Sequence, residues 1–205
     1  LDILYSMYEG AKYTPAEVIY TDIPGAPEGL GKTESIGGEY LNRLQMTTAL
    51  LHVVRAFEDP SIPHLEDSVA PYRDLANMDL ELALSDLAIL ERRLKRLEDG
   101  LKAARTSKRG GIFKEQEFLE RIKGDLEKEI PIRGQEISLQ EAIMLQNYQF
   151  LTAKPLLVAL NIDEGKLAQA RDLEMELESK ASDSWARGIV ICGKLESELA
   201  QMKEE

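Results

Sequence analysis

Cysteine is almost missing from this sequence of 205 residues, because Cys192 is the only one. A single cysteine excludes an intramolecular disulfide and is typical of a reducing compartment, so we expect a cytoplasmic protein. Aromatic residues are also few, at 6%. No apolar run approaches the roughly 18 residues that a membrane-spanning helix needs. We therefore expect no membrane partner.

Basic residues are scarce as well, with 25 Lys and Arg against 37 Asp and Glu and a net charge of −12. This balance argues against a general nucleic-acid binder, and we expect no DNA partner. One segment has the opposite charge balance, because residues 92–109 hold eight basic and two acidic residues. Such a segment indicates either a contact with a phosphate backbone or a solvated helix surface.

Four short apolar runs predict strands buried on both faces of a parallel sheet. They are Glu17–Asp22, Leu50–Arg55, Pro155–Asn161 and Gly188–Cys192. Helical patterns separate them. One of these spans residues 138–152 and begins at Ser138 with Glu141 three places on, the spacing of a capping box. Strand and helix in alternation predict an α/β fold with a mostly parallel sheet.

The middle of the chain has a different pattern. Apolar residues repeat with heptad spacing, at Leu80, Ala83, Leu87, Leu90, Leu94, Leu97 and Leu101. A break at 106–111 separates them from a second apolar helix pattern. Two narrow seams joined by a short break predict an antiparallel coiled-coil hairpin. We expect residues 1–75 and 138–205 to form the body and residues 76–137 an arm inserted in it.

The first candidate site is the sequence Asp22-Ile23-Pro24-Gly25, at the end of the first predicted strand. In nucleoside-triphosphate hydrolases an Asp in this place holds Mg²⁺, and a Gly lets a backbone N–H approach a terminal phosphate. The alternative is a plain turn after an edge strand, where Pro-Gly is common.

Two further candidates also follow predicted strands. Asn161 and Glu164 could present amide and carboxylate groups to a purine edge, at the end of a sheet where α/β proteins bind ligands. The alternative is a turn in which Asp163 caps the next helix. The sequence Cys192-Gly193-Lys194 could bring backbone amides to a base, or form an ordinary strand-to-helix turn.

The two histidines have different surroundings in the sequence. His52 lies within an apolar strand, which favours a packed core residue. His64 lies in a loop after the second strand, where an imidazole could orient or activate water. A Ser-His-Asp hydrolase is not supported, because the sequence has no G-x-S-x-G motif.

Taken in order, these segments resemble the YchF-type Obg-like ATPases, a branch of the Obg-related P-loop GTPases. The resemblance lies in the D-x-x-G sequence at residues 22–25, the stretches at 35–41, 52–59 and 62–65, the sequence at 150–155, the N-x-x-E sequence at 161–164, and residues 192–196. The arm between them also fits. The similarity extends over nearly the whole chain, and the order of the motifs is more specific than any single motif.

The resemblance implies an α/β fold of the P-loop NTPase type (a G-domain) with a helical hairpin insertion. It implies a cytosolic, Mg²⁺-dependent nucleotidase for ATP or GTP that binds the ribosome. Asp22 would lie near Mg²⁺, and His64 would take the catalytic place, since Ala26 stands where related GTPases have a glutamine. The nucleotide-binding residues that it implies are Gly25, Asn161, Ile162, Glu164, Cys192, Gly193 and Lys194.

The arm would provide the contact with ribosomal RNA. We expect its tip residues Arg105, Lys108 and Arg109 to make that contact, because they belong to the basic segment. The N-x-x-E sequence replaces the N-K-x-D sequence of GTPases and in this branch favours ATP.

The sequence also departs from the family pattern. No G-x-x-x-x-G-K-[ST] motif occurs in the 205 residues, and this motif supplies the phosphate cradle, a lysine and a Mg²⁺ ligand. The chain opens at Leu1 and has no counterpart of the family's C-terminal TGS domain, so we expect a fragment of a longer protein. Two hypotheses follow: part of a nucleotide hydrolase, or a ribosome- or RNA-binding module without turnover.

Overall fold

The computed structural model describes residues 16–23, 37–61, 68–103, 106–183 and 186–202. In these ranges six α-helices and three strands follow one another. They are α1 (Gly37–Met46), β1 (Leu50–Arg55), α2 (Pro71–Ala103), α3 (Thr106–Leu126), α4 (Leu139–Leu145), β2 (Leu156–Asn161), α5 (Ala170–Asp183), β3 (Arg187–Ile191) and α6 (Gly193–Gln201). Short 3-10 helices, Ile132–Gly134 and Glu164–Gln169, precede α4 and α5. The α/β class predicted from the sequence is confirmed.

The three strands form one parallel sheet in the order β1-β2-β3. Their register places Arg55 of β1 opposite Asn161 of β2, and Asn161 opposite Ile191 of β3. Parallel strands end at the same edge of a sheet, so the segments that follow these three residues come together there. Three of the four predicted strands are confirmed, each to within one residue at either end.

The fourth predicted strand, Glu17–Asp22, is wrong, because the segment has no strand in the structure. Val18, Ile19 and Tyr20 are 69%, 81% and 82% exposed. An extended segment becomes a strand only where a neighbouring strand accepts and donates its backbone hydrogen bonds. None of the three described strands pairs with it. The apolar run therefore gave the correct residue composition for a strand but no information about a partner.

One face of the sheet packs against helices and forms the core. Val54, Val158 and Leu160 lie there with Leu75 of α2 and Leu177 of α5, all 5% exposed or less. Burial of such a cluster contributes most of the stability of an α/β fold, at roughly 1.5–3 kcal/mol for each large side chain.

The helices α2 and α3 pack side by side along a second apolar cluster. Leu90 and Leu97 of α2 are buried in it against Phe118, Leu119 and Ile122 of α3. These contacts agree with the predicted pairing of two helices. The division of the chain into a body and an arm stays a prediction.

One position of the predicted heptad departs from this packing. Leu80 is 53% exposed. The helix α3 has 21 residues and α2 has 33, so the antiparallel partner ends before it reaches Leu80. No α-helix in the described ranges is both long enough and apolar enough to span a bilayer.

The predicted capping box is present at the start of α4. The Ser138 hydroxyl accepts a hydrogen bond from the Glu141 N–H, and the Glu141 carboxylate accepts one from the Ser138 N–H at 2.8 Å. The helix ends at Leu145, well before the predicted residue 152. Its end follows from i→i−3 bonds at Asn147 and Tyr148 and from the positive φ of 53° at Gln149.

Candidate functional site

A pocket of about 340 Å³ lies at the carboxyl ends of the strands. Its walls come from the loop after β1, the turn after β2 and the first turn of α6. The lining residues are Phe57, Glu58, Asp59, Asn161, Ile162, Asp163, Glu164, Gly165 and Lys194. This is the edge at which open α/β sheets bind ligands. The structure thus brings together two of the stretches that the sequence singled out, residues 161–164 and 192–194.

Asn161 is fixed at the inner side of this pocket by a backbone group. Its Oδ1 accepts a hydrogen bond from the Gly193 N–H at 2.9 Å. No described residue accepts from its Nδ2, so the amide retains a donor for a ligand. Gly193 allows this geometry, since a Cβ at that position would lie 3.2 Å from Oδ1 of Asn161.

Glu164 and Lys194 form an ion pair at the pocket, with Nζ and Oε1 2.9 Å apart. The hydrogen bond to Glu164 raises the pKa of Lys194. Both side chains are largely exposed, at 48% and 72%, so the pair adds little to stability. The second carboxylate oxygen of Glu164 remains available to accept a hydrogen bond from a ligand.

The alternative reading of this turn as a helix cap also holds. Asp163 is the N-cap of the 3-10 helix, and its carboxylate accepts a hydrogen bond from the Lys166 N–H at 3.2 Å. Capping engages Asp163 but leaves Asn161 and Glu164 at the pocket. The two interpretations of the segment are therefore compatible, because they use different side chains.

Phe57 is a pocket residue that the sequence reasoning did not single out. The guanidinium carbon of Arg55 lies 5.1 Å from the centre of its ring, and Nε of Arg55 donates to the Phe57 carbonyl at 2.9 Å. Lys166 donates to the neighbouring Ala56 carbonyl at 2.6 Å. These bonds fix the loop after β1, and Phe57 lines the same pocket as Asn161. The sequence signal that could have identified Phe57 is its position two residues after the end of a predicted strand.

Two of the predicted nucleotide-binding residues have buried side chains. Ile162 and Cys192 are 2% and 4% exposed and belong to the core cluster below the sheet. The Ile162 N–H donates to the Ile191 carbonyl at 2.8 Å, which joins β2 to β3. Their side chains thus belong to the core next to the pocket; Ile162 is one of the lining residues of the pocket and Cys192 is not.

The remaining predicted site residues are only partly described. Asp22 is exposed and is not among the lining residues of the pocket. Arg109 is exposed on α3, and Lys108 lies in the same helix. Gly25, His64 and Arg105 lie outside the described residues. Within the part of the chain that the structure describes, no three His, Cys, Asp or Glu side chains are arranged to hold a metal ion.

A buried carboxylate ties α2 to the loop that leads into β2. Asp86 is fully buried; its Oδ1 accepts from the Leu151 N–H at 2.9 Å, and its Oδ2 accepts from the Thr152 N–H and hydroxyl, both at 2.7 Å. Burial raises the pKa of Asp86 to about 6. The sequence reasoning missed this contact, because 65 residues separate Asp86 from Leu151.

Comparison with known proteins gives relatives over the whole chain, although no family model matches it. The ribosome-binding ATPase YchF of Bacillus subtilis is 32% identical over 207 aligned residues, which cover 100% of this chain and 56% of that protein. The protein of the same name from Haemophilus influenzae is 31% identical and covers 100% of this chain and 55% of its own length. Obg-like ATPase 1 of Oryza sativa subsp. indica is 30% identical over 80% of this chain and 41% of its own length.

A solved structure agrees with the sequence relatives. The YchF GTPase of Schizosaccharomyces pombe matches with a TM-score of 0.72 and 27% identity, over 88% of this chain and 48% of that one. The chain therefore spans about half the length of the relatives that it matches. In both sequence and fold the chain matches about half of a YchF-type Obg-like ATPase, and the resemblance identified from the sequence is thereby confirmed.

Proposed function

We propose that the strand-end pocket binds the base of a purine nucleotide, as part of a ribosome-associated nucleotide hydrolase. The observation that carries the proposal is the convergence of Phe57, Asn161 and Glu164 on one pocket at the carboxyl ends of parallel strands. An aromatic ring offers a stacking surface, the free Nδ2 of Asn161 offers a donor, and Glu164 offers an acceptor. This combination suits the edge of a purine, which carries both acceptors and N–H donors.

The choice of adenine over guanine rests on Glu164 facing the exocyclic group at C6 of the purine, since a carboxylate that faced N1–H and the 2-amino group would select guanine. Adenine presents its exocyclic N–H group as a donor, whereas guanine presents a carbonyl oxygen in the same place. Glu164 can accept from the first group and repels the second. The names of the relatives describe both ATPases and a GTPase, so we propose ATP as the preferred ligand and GTP as the competitor.

Fewer residues of the chain support a proposal for how the phosphates and Mg²⁺ would be bound. A nucleotide-bound Mg²⁺ needs only one or two protein carboxylates, because phosphates and water supply the other ligands. Asp22 is a carboxylate of that kind and fits a metal that arrives with its nucleotide, but it does not form a resident site. When bound, Mg²⁺ would neutralise charge on the phosphates. Gly25 and His64 remain the proposed residues for phosphate contact and for water activation.

Association with the ribosome is proposed on the names of the relatives and on the charge of the segment 92–109. The Bacillus subtilis and Haemophilus influenzae proteins are named ribosome-binding ATPases. The segment 92–109 is basic in an otherwise acidic chain, and this distribution suits ribosomal RNA more than an acidic protein. In the intact protein the pocket and the arm would couple nucleotide binding to the ribosome, in the cytoplasm.

A second candidate function is a ribosome- or RNA-binding module without hydrolysis. It is favoured by the lack of a G-x-x-x-x-G-K-[ST] motif in the 205 residues, since this motif provides most phosphate contacts. The two candidates share the pocket and the arm. They differ in turnover, which a phosphate-release assay on the complete gene product would measure.

Replacing Glu164 by Ala tests the base pocket directly. We expect ATP binding to weaken by about tenfold, because a hydrogen bond to a charged group contributes about 1.5–3 kcal/mol. GTP binding should weaken less or improve, since the repulsion is removed. Fluorescence titration with a mant-labelled nucleotide and unlabelled competitors would measure both affinities.

The matched control is Glu178→Ala, which removes a carboxylate from an exposed position on α5 and leaves the pocket intact. It should bind both nucleotides like the wild type. Equal affinities of the Glu164 and Glu178 variants for ATP would contradict the proposed role of Glu164.

A further inference from the structure

A second groove, of about 540 Å³, lies on the paired helices. It shares no lining residue with the strand-end pocket. Its walls come from α2, α3, α4 and the turn after α4. The lining residues are Ile89, Arg92, Arg93, Arg96, Glu115, Met144, Asn147 and Tyr148. Three arginines therefore face one concave surface.

One of these arginines is neutralised within the groove. Nε and NH2 of Arg93 lie 2.7 and 2.6 Å from Oε1 of Glu115, and the Tyr148 hydroxyl donates to the same oxygen. Burial raises the pKa of Tyr148 to about 12, so the hydroxyl keeps its proton. The Tyr148 ring in turn stacks on Phe150, with centroids 5.1 Å apart. In this network the positive charge of Arg93 is neutralised by the carboxylate of Glu115, and the side chains hold one another in place.

The other two arginines have no carboxylate partner among the described residues. Arg92 donates only to the Ala88 carbonyl of its own helix, at 3.1 Å, and Arg96 forms no hydrogen bond or ion pair there. They stand four residues apart on α2, where Cβ atoms are about 5–6 Å from each other and like charges repel. Lys102 and Lys123 on the same helices do pair with acidic neighbours. The groove thus carries two uncompensated positive charges.

The geometry points to a phosphodiester-binding site for single-stranded RNA, held by Arg92 and Arg96. Guanidinium groups match phosphate oxygens in a bidentate manner, and two of them one helical turn apart can bind one phosphate or two successive ones. Ile89 and Met144 provide an apolar wall for a ribose or base, and the Asn147 amide can bond to a base edge. An acidic peptide would use the arginines but would leave the amide and the apolar wall without a role.

The choice of RNA as the ligand rests on the proposed ribosome association and makes it more specific. It places the RNA contact in a groove beside α4, whereas the sequence alone had pointed to the arm tip. The described lining residues of the groove include none of the three tip residues, so the two locations can be tested separately.

The test uses the 205-residue chain and a fluorescein-labelled, mixed-sequence RNA of 12 nucleotides. Fluorescence polarisation would be recorded over a salt series for the wild type, R92Q/R96Q and R92K/R96K. The matched control is K95Q/K114Q, which removes the same charge from two exposed positions outside the groove. Far-UV circular dichroism would verify that each variant is folded, as expected for exposed positions.

We expect R92Q/R96Q to weaken RNA binding by about tenfold at moderate salt and to reduce the slope of log K against log salt by about 1.4, or 0.7 per lost phosphate contact. The affinity of R92K/R96K should lie between that of R92Q/R96Q and that of the wild type, because lysine keeps the positive charge but cannot form the bidentate hydrogen bonds of a guanidinium group. The RNA affinity of K95Q/K114Q should fall by less than about threefold.

Equal losses in R92Q/R96Q and K95Q/K114Q would overturn the proposal, because they would show an unspecific charge effect. Displacement of the RNA by decaglutamate at equal concentration would also overturn it, in favour of an acidic peptide. Co-sedimentation with ribosomes tests the ribosome association separately from the groove. If the wild type does not co-sediment, the proposed ribosome association is wrong. If the wild type and R92Q/R96Q co-sediment equally, the groove is not the RNA contact, and the ribosome association is retained.

Discussion

At the scale of single residues, the strand-end pocket depends on the close approach of Gly193 to Asn161. The amide oxygen of Asn161 accepts a hydrogen bond from the Gly193 N–H, which leaves its NH2 group as the proposed ligand contact. Any side chain at position 193 would press on that amide, because a Cβ would lie 3.2 Å from its oxygen and 3.4 Å from its nitrogen. The proposed base recognition would therefore rely on a backbone N–H that has no side chain in the way.

Replacing Gly193 by Ala should shift the Asn161 amide by a few tenths of an ångström. We expect nucleotide binding to weaken by several-fold, about 1 kcal/mol, while the melting temperature changes little. Titration with mant-labelled ATP and a thermal melt would measure the two effects. Gly100→Ala is the matched control, since no atom lies within 4 Å of a Cβ there. Unchanged ATP affinity in Gly193→Ala would show that the amide is not a contact.

At the scale of elements, Asp86 joins the helix pair to the loop before β2. The carboxylate accepts three hydrogen bonds from Leu151 and Thr152, and Lys154 of the same loop donates to the Gln45 and Thr47 carbonyls near the start of β1. The loop is thus held from both sides. The position of β2, and of Asn161 at its end, depends on this contact with α2.

The buried carboxylate should give a specific pH dependence. Burial raises the pKa of Asp86 to about 6, above the ordinary 3.8, so the folded state takes up a proton between those values and the unfolded state does not. The free energy of unfolding that Asp86 contributes therefore falls as the pH rises through 6. We expect the difference between the wild type and Asp86→Asn to be larger at about pH 5.5 than at about pH 7.5, by no more than about 1.4 kcal/mol per pKa unit.

Urea unfolding of both proteins at the two pH values would measure this difference. Asp86→Asn should also be less stable at either pH, since it leaves at least one buried donor without its acceptor, at a cost of about 1–3 kcal/mol. A difference that does not vary with pH would mean that Asp86 has an ordinary pKa in the folded protein.

The elements also show which features a sequence can predict. The strands β1, β2 and β3 were predicted from continuous apolar runs, and the start of α4 from the capping box at Ser138, because these signals are local. The segment predicted as a strand at 17–22 had the same local signal, but none of the described strands pairs with its backbone. Leu80 had the correct heptad spacing, but α3 ends before it. Pairing and helix length are set by distant parts of the chain.

The same distinction holds for the candidate site. Asn161 and Glu164 were found from their spacing after a strand, since a strand end is visible in the sequence. Phe57 was missed, because its place in the pocket depends on the register of β1 against β2 and on the Arg55 side chain beneath its ring. Asp86 was missed because its partners are 65 residues away. Neither residue belongs to a local sequence pattern, and their contacts form only when distant parts of the chain come together in the fold.

At the scale of the whole molecule, the chain joins the strand-end pocket to a helix pair whose groove carries the two arginines Arg92 and Arg96. The body is acidic overall, so the basic segment 92–109 stands out as the surface for an anionic partner. Both surfaces lie within the part of the YchF-type fold that this chain covers, about half the length of its relatives. The central claim is that the pocket recognises the base and that the described residues contribute little to phosphate binding.

The measurement that tests this claim most directly is isothermal titration of the 205-residue chain with adenosine, Mg-ATP and Mg-GTP. We expect adenosine and Mg-ATP to bind within about threefold of each other, or about 0.7 kcal/mol, and Mg-GTP to bind more weakly. Tight binding of Mg-ATP without detectable binding of adenosine would contradict it. That result would mean that the chain holds its nucleotide through the phosphates and that the strand-end pocket is not the base site.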